Sequence, residues 1–184
     1  MGLFRATIQH RRHLRLLVAG VAPFDELDSL WSDHFINLRE VRIGHLDEKT
    51  SIELITCPIP EFPPQAISLP IAETIFSQTG GQPYLLQMYG SLLVQHLNED
   101  KRKKAKKADI TPIKAQVLEQ ATYYFRNTVV DAPPNARTVL LSLAENQQAK
   151  LDKQTRRWLK RRCLLTENDQ LLIPVLGEWI REYY

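Results

Sequence analysis

Thr79-Gly80-Gly81-Gln82-Pro83-Tyr84-Leu85-Leu86-Gln87 decides how this chain reads, because a glycine pair and a proline stand between two apolar patterns of helical spacing. Ile67, Ile71 and Ile75 recur every four residues and stop at Gly80 and Gly81, where a residue with positive φ closes a helix without a Cβ penalty. Pro83 suits the first position of a following helix, whose backbone N–H has no intrahelical partner to lose. Leu85, Leu86, Tyr89, Leu92, Leu93 and Leu97 then mark one buried face of that helix. Its open N-terminus suits an anion or a polar ring edge.

Working outward toward the N-terminus, Asp47 reads as an N-cap, and Ile52, Leu54 and Ile55 as the apolar side of a helix that Pro58 stops. Pro58, Pro60, Pro63 and Pro64 make a stiff connector. Further upstream, Leu14–Ala19 and Leu38–Ile43 read as two strands, the first fed by the tail of a helix. Two strands are too few for a sheet, so residues 1–46 are expected to be the end of an α/β core.

Toward the C-terminus, Lys101-Arg102-Lys103-Lys104-Ala105-Lys106-Lys107 reads as a solvated linker and a domain boundary, with contact to nucleic acid or another acidic surface as the rival reading. Thr111 and Pro112 open a helix carrying Ile113, Val117, Leu118, Ala121 and Phe125; Pro133 and Pro134 separate it from one carrying Val139, Leu140 and Leu143. A basic helix follows over 152–162, with Trp158 and Leu159 as its apolar anchors. Leu164–Ile173 then places two apolar runs around an Asn-Asp turn, the pattern of a β-hairpin. Three helices and a hairpin make a winged helix-turn-helix, with Trp179, Ile180 and Tyr183 on a closing helix. The expected class is therefore mostly α (α+β), in four parts: an ATPase-core remnant over 1–46, a helical lid over 47–100, a basic linker over 101–109 and a winged helix over 110–184.

With 184 residues, 43% of them hydrophobic and 24% charged, the chain is long enough for a sizeable core and contains no uncharged apolar run of membrane-spanning length. Basic and imidazole side chains interrupt Gly2–His13, which excludes a signal-peptide apolar core there. Cys57 and Cys163 have neither metal-ligand nor redox spacing and read as small reduced residues. These features lead to the expectation of a cytoplasmic protein with no membrane partner.

The order of elements resembles the C-terminal half of a prokaryotic AAA+ or STAND-type ATPase followed by a winged-helix domain. Leu14–Gly20 resembles the sensor-1 strand, and Leu38–Leu46 the last core strand running into the lid at Asp47-Glu48. Gly81–Gln87 is similar to the glycine-x-proline sensor-2 phrase, and Pro174–Ile180 to the closing helix after the wing. The resemblance implies a nucleotide-dependent regulatory switch that uses ATP or ADP in the full-length protein. Gly81, Pro83 and Tyr84 would approach adenine, while Gln82 or the helix N-terminus would meet the phosphate side. It also implies a partner, the missing N-terminal ATPase core, together with DNA, a protein effector or self-association.

The chain departs from that pattern where the chemistry would lie. It contains no G-x-x-x-x-G-K-S/T loop to cradle phosphates and no strand ending in an acidic pair to hold magnesium, and Val21 and Ala22 stand where a polar sensor would be expected. Met1 falls about where the chain would leave that acidic strand. The expectation is a fragment with no catalytic activity of its own and no nucleotide bound to it, belonging to a parent that is an ATPase.

The alternative is a DNA-binding winged helix. Lys153, Arg156, Arg157, Lys160, Arg161 and Arg162 fall within ten residues, as in a recognition helix that contacts phosphates and base edges. The competing explanation is a solvated basic face around Trp158 and Leu159. His10, His13, His34, His45 and His96 lack metal-ligand spacing, Asp25, Glu26 and Asp28 lie in a loop without a partner, and no Ser or Cys sits on a nucleophile elbow.

Overall fold

The computed structural model describes residues 17–20 and 39–184, and the chain divides between Ile43 and Gly44 into two units. In the first unit, residues 17–20 and 39–43 carry no helix or strand. The remaining parts of the two expected strands, 14–16 and 38, lie outside the described residues, as do Val21 and Ala22.

The second unit, Gly44–Tyr184, contains eight α-helices. Asp47 caps α1 (Glu48–Thr56) by accepting from the Thr50 backbone N–H at 2.7 Å, a partner for one of the orphan donors of the first turn. The proline connector then turns through two backbone bonds, Phe62 N–H to the Ile59 carbonyl and Ala66 N–H to that of Pro63. It delivers α2 (Leu69–Thr79), which is followed by α3 (Pro83–Glu99). α1 packs on both.

The expected single helix through Phe125 is instead two, α4 (Ile110–Gln120) and α5 (Thr122–Val130). They meet at Ala121, whose ψ of 4° bends the path while its N–H still reaches the Val117 carbonyl at 2.9 Å. A tertiary bond accompanies the bend. The Thr122 hydroxyl donates to the Leu118 carbonyl and accepts from the Trp179 indole N–H, each at 3.0 Å. Nothing in the local sequence marks this break, because it involves neither glycine nor proline.

α6 (Pro134–Ala144) and α7 (Lys153–Arg161) lead to a reversal at 164–172, and α8 (Pro174–Tyr183) closes the chain. The reversal holds one antiparallel bridge, Leu165 to Leu171, flanked by Leu172 N–H to the Leu164 carbonyl at 2.9 Å. Asp169, at φ 58°, supplies its left-handed turn residue. No strand ladder forms among the described residues, which are mostly helical, as the periodicity predicts. α8 packs chiefly on α6 and also reaches α2, α4 and α5. One apolar core thereby runs from Ile55 and Ile75 through Leu93, Ile113 and Phe125 to Leu140, Leu159 and Leu176.

The expected boundary at 101–109 falls inside this unit. Lys101, at φ 53°, ends α3 in the left-handed region, and Arg102 N–H reaches back to the Leu97 carbonyl at 2.8 Å. Ala105 N–H donates to the Ala66 carbonyl at 2.8 Å, tying the run to the proline connector.

Candidate functional site

The Thr79–Tyr84 joint is built as its glycines require. Gly80 ends α2 at φ 56°, donating to the Phe76 carbonyl at 2.8 Å, and Gly81 follows at φ 76°. Each glycine also lies against another segment of chain. A Cβ on Gly80 would stand 2.0 Å from the Leu172 carbonyl oxygen, and one on Gly81 the same distance from that of Leu46. Leu46 N–H donates to the Gly81 carbonyl at 2.9 Å, and the His45 ring lies with Nδ1 2.9 Å from the Gly80 carbonyl, which assigns the Nδ1 proton to that contact. Burial lowers the His45 pKa below its usual value, against the raising effect of this bond.

The four residues expected to meet a nucleotide have unequal surroundings. Gly81 is buried and its carbonyl is taken by Leu46. Gln82 caps α3 with its own side chain, Oε1 accepting from Leu85 N–H at 2.8 Å, so the helix N-terminus already holds an acceptor. Pro83 is half-buried at the first helical position. Tyr84 is 43% exposed and leans on Tyr124, ring centroids 5.4 Å apart. Behind it a chain of rings runs from Tyr124 to Phe125 and on to Trp179. Burial pushes the Tyr124 phenol up to about 12. Tyr89, one turn beyond the joint, donates to Gln78 Oε1 at 2.5 Å, and burial followed by the charge of Glu178 raises its pKa. An open apolar groove of about 420 Å³ lies between α1 and α3, lined by Leu54, Ile55, Phe62, Leu86 and Val94 among others, but neither Gln82 nor Tyr84 lines it.

On the basic helix, the reversal supplies counter-charges that sequence spacing does not show. Arg156 makes two bonds to Asp169, at 3.1 and 2.7 Å, and Lys160 reaches Glu167 at 2.9 Å. The Arg162 guanidinium lies 3.9 Å from the centroid of the Trp158 ring. Lys153 and Arg157 are exposed and Arg161 is half-buried.

Sequence reasoning missed a second cluster, at the end of α3. Asp109, 7% exposed, accepts two bonds from Arg102, both at 2.9 Å, and one from the Lys106 backbone N–H at 2.8 Å. Arg102 also holds Asp100 at 2.9 and 3.0 Å, and His96 Nε2 stands 3.5 Å from Asp109. The guanidinium keeps the Asp109 carboxyl below the usual carboxylate range against the opposing effect of burial. An aspartate immediately before the apolar start of α4 was the available signal. Among the described residues no group of three or more His, Cys, Asp and Glu could hold a metal ion, and no helix is long and apolar enough to cross a membrane.

No family model matches the chain, and neither the curated proteins nor the solved structures contain a match to it.

Proposed function

We propose that this chain is the lid and winged-helix part of an AAA+/STAND-like regulatory ATPase, a nucleotide-dependent switch that is not catalytic by itself. The observation that carries the reading is the glycine joint, whose two backbones lie against Leu46 on one side and Leu172 on the other. A change at the N-terminus of α3 cannot be absorbed locally there. It must displace the segment entering the lid, the return of the reversal, or both. Leu164–Leu172 would be the wing, α6 and α7 the two helices before it, and α8 the closing helix.

The residues present fit one end of a nucleotide better than the other. The exposed Tyr84 ring offers a face for adenine, with Gly81 and Pro83 beside it, whereas Gln82 already caps the helix end that would meet phosphate. A phosphate-binding core from sequence outside this chain, or from another chain, would supply what is missing. A protein effector or self-association would read out the switch.

The test has two arms. Calorimetric titration of this chain with ATP or ADP is expected to show no micromolar binding. Once the nucleotide-binding core is joined to it, micromolar binding is expected, and Tyr84→Ala should weaken it about tenfold if stacking on the base contributes as usual. Micromolar binding by this chain alone, or no effect of Tyr84→Ala in the joined protein, overturns the proposal.

The second reading, DNA recognition by helix 152–162, rests on the exposure of Lys153 and Arg157. Arg156 and Lys160 are engaged by Asp169 and Glu167, which leaves that helix less charge to offer than its composition promises. Equal mobility shifts of duplex DNA with wild type and with Arg156→Glu/Arg157→Glu would remove this reading.

A further inference from the structure

We propose that the lysine strap at 101–107, rather than the basic helix α7, is this chain's docking surface for the phosphate backbone of a nucleic acid duplex. Lys101, Lys103, Lys104, Lys106 and Lys107 are all exposed. Three carboxylates flank them: Arg102 engages Asp100 and Asp109, and Gln95 donates to Glu99 at 2.9 Å. Arginine and glutamine thus hold the flanking carboxylates out of direct ion pairs with the five exposed lysines. Among the described residues, no carboxylate forms an ion pair with any of the five, whereas Arg156 and Lys160 of α7 each have one. The only bond to a strap ammonium there is a long one, Lys104 Nζ to Gln65 Oε1 at 3.4 Å.

The strap is also held in shape. Its start is the left-handed Lys101, its middle is pinned by Ala105 N–H on the Ala66 carbonyl, and its end is clamped by Lys106 N–H on Asp109. An array ordered in advance loses less backbone entropy on binding than a free linker would. Its chemistry selects the class of partner. Lysine ammoniums are point charges that bind phosphate without reading bases, and the strap has no arginine fork facing outward and no aromatic ring to stack on an unpaired base. Its only apolar side chain is Ala105, too small to anchor the strap in a lipid surface. A regular line of phosphates, as on a duplex, is the partner that complements it.

The experiment is fluorescence anisotropy with a labelled duplex of about 20 base pairs, with salt titrated from about 50 to 200 mM. Each neutralised phosphate contributes about −0.9 to the slope of log K against log salt, so the five lysines of the strap should give a slope of about −4.5. Lys103→Gln/Lys104→Gln/Lys107→Gln should flatten the slope by about 2.7 and weaken binding at least tenfold at the lowest salt, with an unchanged melting temperature. The triple Lys→Arg variant, which keeps the charges, should bind like wild type. Arg156→Gln/Arg157→Gln should leave affinity and slope unaltered. The proposal is overturned if the α7 variant shows the loss instead, if the strap variant binds normally, or if wild type binds phosphatidylserine vesicles and not the duplex. None of these outcomes depends on whether the chain answers to ATP.

Discussion

Leu46 and Gly81 grip each other from both directions: the Leu46 N–H donates to the Gly81 carbonyl at 2.9 Å, and the Gly81 α-carbon lies where a Cβ would stand 2.0 Å from the Leu46 oxygen. Neither side can yield to a methyl group without moving backbone. Gly81→Ala, which adds that clash to a φ of 76°, is expected to cost about 2–4 kcal/mol in chemical denaturation, combining left-handed strain with overpacking. Gly80→Ala meets Leu172 in the same way and should cost a similar amount.

His45 makes the same joint sensitive to acid. Its folded pKa lies below the ordinary 6.5 because burial disfavours the charged ring. A neutral ring in the folded state means that stability is intact above 6.5 and falls as the pH drops through the lowered folded value. Thermal melts below pH 6.5 should show this loss in wild type and a smaller one in His45→Asn. Identical pH profiles would count against the assignment.

Asp109→Asn should cost about 1.5–3 kcal/mol, the range for buried bonds to a charged partner, because Arg102 loses a two-pronged acceptor. The pH dependence has a definite sign. Arg102 depresses the folded pKa of Asp109, so its contribution is complete above the unfolded value of 3.8 and is lost as pH falls from there through the depressed folded value. Urea midpoints of wild type and variant should therefore begin to converge below about pH 4 and meet only below the depressed folded value.

Trp179→Phe keeps a ring against Phe125 but removes the indole donor to Thr122, which should cost about 1 kcal/mol. Trp179→Ala should cost about 3–5 kcal/mol, because the side chain is buried where α8 meets α4 and α5. Denaturant titration separates the two.

What was legible in the sequence was local. Asp47 as a cap, Gly80 as a helix end and Pro83 as a helix start each act on backbone within four residues, and each stands where spacing places it. What escaped was long-range. No periodicity says that Leu46 and Leu172 press on the glycines, or that Asp169 and Glu167 face Arg156 and Lys160. In the run 101–107 every side chain but Ala105 is basic, and only the pairing with Asp100 and the buried Asp109 distinguishes Arg102 from its neighbours. The bend at Ala121 is likewise accompanied by a bond from a distant tryptophan. At the candidate nucleotide site, sequence located the phrase but not the Gln82 cap that occupies its polar end.

The contact between Gly80 and Leu172 bears on how the protein is made. α1, α2 and α3 leave the ribosome before the helix that covers them, with their caps and apolar faces already in sequence reach of one another. The backbone that covers Gly80 belongs to the reversal after α7, synthesised only after all three. Until it arrives, the joint stands open on that side, and the faces of α2, α4 and α5 that α8 covers wait in water. Birth order therefore makes the reversal and α8 the step that commits the whole unit, and a nascent chain stalled before Leu172 should remain a client for chaperones.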